Sequence, residues 1–160
     1  MEKIRIEKNE NPVESKIISP KELMDIIYKG ESIPQDNRFL SIDNGGVFKY
    51  FDPRDLFDNI ENKVYSIIKN DKEIAALGEL EKNPYSQDTY WIKFLSVDQI
   101  YQGNGYASIL AEEIFKFAKN NNISLESSSY TTEGQEKIKD VFKRLAEKFM
   151  VNFIDSDKSI

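Results

Sequence analysis

The sequence predicts a mixed α/β or α+β fold with one central, mostly antiparallel sheet flanked by helices. Three observations predict it. β-rich runs at 64–68, 74–78 and about 89–97 follow one another through turn residues, which makes a meander. The period then becomes helical over 107–119 and again behind residue 135. A strand, a helix and a further strand in that order imply a right-handed crossover covering one sheet face.

Each element has its own local signal. Ser19-Pro20-Lys21-Glu22 opens a helix, with Ser as cap, Pro at the first helical position and an acid in the first turn; Gly30 stops it. Phe39 to Ile42 and Val47 to Phe51 flank Asp43-Asn44-Gly45-Gly46, which predicts a β-hairpin. Asp52-Pro53 repeats the cap-then-Pro pattern and opens a short helix toward Asn59. The first two meander strands turn at Asn70-Asp71, and the third follows the turn-rich Asn83-Pro84-Tyr85-Ser86-Gln87-Asp88. Ala107, Leu110, Ala111, Ile114, Phe117 and Ala118 share one helical face, opposite Glu112, Glu113, Lys116 and Lys119. Asn120-Asn121-Asn122 ends that helix, and residues 123–127 resume as strand. Thr132-Glu133-Gly134-Gln135 has the spacing of a capping box ahead of the stripe Ile138, Val141, Phe142, Leu145, Phe149. Residues 150–154 make a plausible last strand.

Composition narrows the chemistry. At 160 residues, 39% hydrophobic and 31% charged, the chain fits a single domain over 1–160. It has no Cys and no His, which excludes disulfides, Cys/His zinc sites, thiol nucleophiles and histidine bases together. No Asp-x-Asp-x-Asp-Gly loop is present, so no metal is expected. The net charge of −6 argues against nucleic acid and suits a cationic small molecule or a basic protein segment, or serves solubility alone. No run approaches the roughly 20 apolar residues of a membrane span, and the N-terminus lacks an apolar signal segment, so no membrane role and a cytoplasmic location are expected.

The segment between the third strand and the long helix carries the functional signal. In Gln102-Gly103-Asn104-Gly105-Tyr106-Ala107 two glycines permit positive φ and close backbone approach, and the N–H groups of the helix's first turn converge on one point. A pyrophosphate fits such a cradle without basic side chains, which this loop lacks. Two other readings compete: a tight connection with no ligand, and the dinucleotide fingerprint, whose third Gly position here is Ser108.

Gln102-Gly103-Asn104-Gly105-Tyr106-Ala107 matches without gaps the acetyl-CoA motif Arg/Gln-x-x-Gly-x-Gly/Ala of the GNAT acetyltransferases, and the element order of residues 64–154 resembles theirs. The resemblance implies a GNAT-like acyl-CoA N-acyltransferase fold, with a core at 63–155 and a divergent helix–hairpin–helix part at 1–62. It implies acetyl-CoA as acetyl donor, its pantetheine arm pairing with backbone groups of Leu95 and Val97. Its pyrophosphate would rest on amides of Gln102, Gly103, Asn104, Gly105, Tyr106 and Ala107, with Ser108. The acceptor would be an amine of a small molecule, peptide or protein. Dimers are common among relatives, although this sequence carries no interface signal.

The catalytic residues of relatives carry over less well. Histone-type members place a Glu on the fourth strand, where Trp91 stands here. Many members use a Tyr early in the last helix, and the nearest equivalent is Phe142. The family's Asn at the end of the fifth strand is replaced by Ser127-Ser128-Ser129. Glu79, one of two carboxylates (with Glu81) on one face of the neighbouring strand, is the substitute base; two acids on a solvated face is the alternative reading. Tyr130 is the substitute acid, or an aromatic closing the core edge. A catalytically inactive acyl-CoA-binding module, or a protein-interaction domain using the hairpin, remains open beside the enzyme.

Overall fold

The computed structural model describes residues 13–28, 46–58, 60–71, 73–127 and 135–155. Six strands form one sheet in chain order: β1 (Glu14–Ile18), β2 (Lys63–Asn70), β3 (Glu73–Lys82), β4 (Thr89–Val97), β5 (Ser124–Ser127) and β6 (Phe153–Asp155). The pairs from β1 to β4 are antiparallel, whereas β5 joins β4, and β6 joins β5, in parallel. The helices are α1 (Pro20–Tyr28), α2 (Tyr106–Asn121) and α3 (Gln135–Phe149). The mixed α/β fold with one mostly antiparallel sheet is thus the one the sequence predicts.

Local signals act as expected at several ends. Ser19 caps α1 reciprocally: Glu22 N–H donates to Ser19 Oγ at 3.2 Å, and Ser19 N–H donates to Glu22 Oε1 at 3.2 Å. Asp71 takes the left-handed φ of 61° in the β2–β3 turn. Asn122 ends α2 at φ 56°, and its N–H reaches the carbonyls of Ala118 and Lys119.

Other segments depart from the sequence pattern. Val47–Phe51 is not a strand: Gly46–Phe48 is a 3-10 helix beginning at φ +54°, followed by a turn at Lys49 and Tyr50. Val47 and Phe51 instead turn inward and are buried with Leu23, Leu56 and Tyr65, so tertiary packing overrides β propensity. The first arm of the expected hairpin, 39–42, lies outside the described residues, as do Tyr130 and the Thr132 box. Pro53–Leu56 does start after Asp52, whose carboxylate accepts from Arg54 N–H at 3.0 Å, but it is a four-residue 3-10 helix. β1, which the pattern does not announce, completes one sheet edge. The last strand begins only at Phe153, because Met150 ends α3 at φ 57°.

Alternation along the strands gives the sheet two apolar faces. Ile68, Ala76, Leu80, Ile92 and Leu95 meet Leu110, Ile114 and Phe115 of α2 and Phe142 and Leu145 of α3. Tyr65, Ile67, Leu77 and Phe94 meet Leu23 of α1 and the 46–57 turns on the other side. Each fully buried Leu or Ile stabilises this arrangement by roughly 1.5–3 kcal/mol. Ser66, on the α2 face, donates its hydroxyl to the Leu110 carbonyl at 3.2 Å, so even the polar exception is satisfied.

Candidate active site

The site begins at the C-terminal end of β4. Among the described residues β4 pairs with β5 from Thr89 to Ile92, and it continues beside β3 as far as Val97. A register shift falls between Glu79 and Leu80 in the β3–β4 pairing. Leu95, Ser96 and Val97, past the last described pair with β5, line a cleft.

The loop after β4 closes one end of that cleft. Asp98 anchors it: its N–H donates to the Ala75 carbonyl at 2.9 Å and its carboxylate accepts from Ile100 N–H at 3.2 Å. Gln102 Nε2 donates back to the Val97 carbonyl at 3.3 Å, and Asn104 Nδ2 donates to the Tyr101 carbonyl at 2.8 Å. Gly103 and Gly105 hold φ +88° and +75°, values that favour glycine, and an added Cβ at either would meet no atom within 4 Å. Gly105 is also the N-cap of α2 and offers no side chain to its first turn. The start of a 16-residue helix, with its orphan N–H groups and partial positive charge, thus opens on space.

A cavity of about 390 Å³ occupies this place. β4 contributes Leu95, Ser96 and Val97; the loop and the start of α2 contribute Gln102, Gly103, Gly105, Tyr106, Ala107 and Ser108. Among the sequence-derived cofactor residues only Asn104 is not part of the wall, its amide being turned onto Tyr101. Ile138 and Val141 of α3 also line it, as do Lys49 and Tyr50 from the turns on the other sheet face. The helical stripe presents Ile138 and Val141 as core residues, and the hairpin pattern places Lys49 and Tyr50 in a strand. No local signal in the sequence marks these four as cleft residues. The Tyr50 ring packs 6.1 Å from that of Phe94.

Glu79 lies elsewhere. It is 3% exposed and does not line the cavity; its Oε2 accepts from Lys63 Nζ at 2.9 Å. Lys63 also stands 3.3 Å from Asp55 and 3.5 Å from Glu81, and Lys93 reaches Glu81 at 3.4 Å. Glu79 and Glu81 do share a sheet face, but the 46–57 turns and α1 cover it, so it is not the solvated face of the alternative reading. Burial pushes the Glu79 carboxyl above the ordinary carboxylate range, Lys63 pulls it down, and Asp55 and Glu81 add to the rise. Lys63, despite burial that opposes its charge, holds its proton more tightly than a free lysine because three carboxylates surround it. Glu79 Oε1 and the hydroxyl of its cross-strand neighbour Tyr65 are buried and have no hydrogen-bond partner among the described residues. Glu79 pairs across the sheet with Phe94 of β4, whose ring lies 6.1 Å from that of Tyr50 in the cleft wall.

Phe142 is 2% exposed and packs against Phe115 and Phe153 at ring distances of 5.9 and 5.5 Å, as a core residue. Among the described residues no group of three His, Cys, Asp or Glu is arranged to hold a metal, and no helix is long and apolar enough to cross a membrane.

Comparison with known proteins places this geometry. No curated protein matches the chain significantly. Among solved structures, a protein assigned to the GNAT family from Desulfovibrio desulfuricans is similar at 12% identity, covering 84% of each chain with a TM-score of 0.53. A GNAT-family acetyltransferase from Streptococcus pneumoniae is similar at 14% identity, covering 83% of each chain with a TM-score of 0.50. At such identities the likeness speaks for the fold. The sequence itself matches the model of the acetyltransferase (GNAT) family over residues 35–146, most of its length. On that match, the chain belongs to the GNAT acetyltransferase family.

Proposed function

We propose that this protein transfers the acetyl group of acetyl-CoA to an amine of a small molecule, peptide or protein. The observation that carries this reading is the cleft along the C-terminal end of β4, closed at one end by a glycine cradle at a helix N-terminus. The backbone of Leu95 and Val97 would pair with the pantetheine arm as an added strand. The amides from Gln102 to Ser108 would hold the diphosphate, and the open space beside Gly103 and Gly105 supports that fit.

The chain has no Cys, so an acyl-cysteine intermediate is excluded and the amine attacks the thioester directly. A lysine-like amine has a pKa of about 10.4 and must first lose a proton. Glu79 is the proposed acceptor of that proton. Its raised pKa supports the role, while the ion pair with Lys63 and its distance from the cleft wall oppose direct contact. As the carbon–sulfur bond breaks, the electron pair passes to sulfur, which takes a proton from a phenol. Tyr130 is one proposed donor. Tyr50 is another, supported by its position in the cleft wall beside Phe94.

Titration calorimetry with CoA, then detection of free CoA from acetyl-CoA in the presence of a polyamine and peptide panel, tests the proposal. Saturable binding and amine-dependent CoA release are expected; absence of binding would overturn it. A second reading, a module that binds acyl-CoA without turnover, draws support from Trp91 and Phe142 at positions where relatives carry acid–base groups. Binding without release across the panel would favour it.

A further inference from the structure

We infer that Lys49 anchors the diphosphate of CoA beside the glycine loop. This rests on the reading of the cleft as an acetyl-CoA site. The loop from Gln102 to Ser108 contains no Lys or Arg, and the chain as a whole carries a net charge of −6. Backbone amides and a helix terminus provide about half a positive charge, which only partly balances a diphosphate. Among the described residues that line the 390 Å³ cavity, Lys49 is the one charged side chain.

Its position points to the phosphate end. Lys49 also borders a smaller adjoining cavity of about 230 Å³ with Gly46, Val97, Gln99 and Gln102, at the root of the glycine loop. Tyr50, the next residue, packs on Phe94, and the Lys49 ammonium lies 5.3 Å from the centroid of the Tyr50 ring. Gly46 makes this placement possible: its φ of +54° starts the turn, and the Ser96 hydroxyl ties its carbonyl to β4 at 3.5 Å. Lys49 belongs to the part of the chain that precedes β2, so it joins a phosphate site whose other members follow β4.

The test is calorimetric titration of the wild type, Lys49→Gln and Lys49→Arg with CoA and with dephospho-CoA, which keeps the diphosphate and lacks the 3′-phosphate. Lys49→Gln is expected to weaken both ligands by about tenfold, the scale of one charge-assisted hydrogen bond, and to flatten the salt dependence of binding. Lys49→Arg is expected to retain most of the affinity. Lys49 is exposed, so thermal unfolding of the variants should match the wild type. Equal affinity of Lys49→Gln and wild type for CoA would overturn the inference, and a loss seen with CoA alone would also overturn it by moving the contact to the 3′-phosphate. Failure of the wild type to bind CoA would strike the acetyl-CoA reading first, and this inference with it.

Discussion

Gly78 on β3 lies directly across from Leu95 on β4, and a Cβ placed on Gly78 would fall 2.7 Å from Leu95 Cδ2. Ile114 of α2 closes the same gap at 3.6 Å. The absent side chain thus lets the helix approach the sheet and lets Leu95 settle into the core while still forming part of the cleft wall. Gly78→Ala is expected to displace Leu95 toward the cleft and to cost about 1–3 kcal/mol through overpacking. Denaturant titration and CoA calorimetry on the same variant should show both losses.

Gly105 tests the cradle itself. At φ +75° any L-residue is strained by about 1–2 kcal/mol. Gly105→Asp adds a negative charge at the start of the cleft, whereas Gly105→Val adds bulk alone. Both are expected to abolish measurable CoA binding while circular dichroism shows a folded protein, and undiminished affinity in either variant would reject the placement of the diphosphate.

The Lys63–Glu79 pair is a stability element whatever its part in catalysis. Their side chains are only 5% and 3% exposed, so removing one partner strands a buried charge. Lys63→Met is expected to cost about 3–5 kcal/mol, and Lys63→Met with Glu79→Leu to recover much of that loss. Chemical denaturation of the single and double variants measures the difference.

The pair also predicts a pH dependence. The folded-state pKa of Glu79 lies above its ordinary 4.5, chiefly because of burial. Such a group supports the fold fully below 4.5, where it is protonated in both states, and loses that contribution as pH rises through the raised value. Relative to Glu79→Gln, the wild type should therefore lose stability as pH rises above about 4.5. Denaturation midpoints of both proteins from that pH upward provide the measurement; parallel curves would contradict the raised pKa.

Catalysis separates Tyr50 from Tyr130. Tyr50→Phe keeps the ring contact with Phe94 and removes only the hydroxyl. A drop in kcat of roughly a hundredfold, with little change in the KM for acetyl-CoA, is expected if Tyr50 protonates the leaving thiolate. An unchanged kcat would leave that role to Tyr130.

Local chemistry made much of the molecule legible from its residues alone. Helical periodicity announced α2 and α3, β-rich runs broken by turn residues announced β2 to β4, and the Ser19-Pro20 start announced α1. Each of these signals is read by a residue and its near neighbours. The spacing of Gly103 and Gly105 is local in the same sense, because positive φ is a property of one residue. Only the folded chain decided that β4 runs on beside β3 to Val97 as a cleft wall, that residues 46–51 curl against β4 and not into a strand, and that Lys49 and Tyr50 line the same cavity as the glycine loop. It likewise decided that Glu79 sinks beside Lys63 under the 3-10 turns, where its sequence pattern equally allowed a solvated face. The reason is physical: those outcomes depend on contacts between segments dozens of residues apart, whose burial free energy outweighs intrinsic preferences of about 1 kcal/mol per residue.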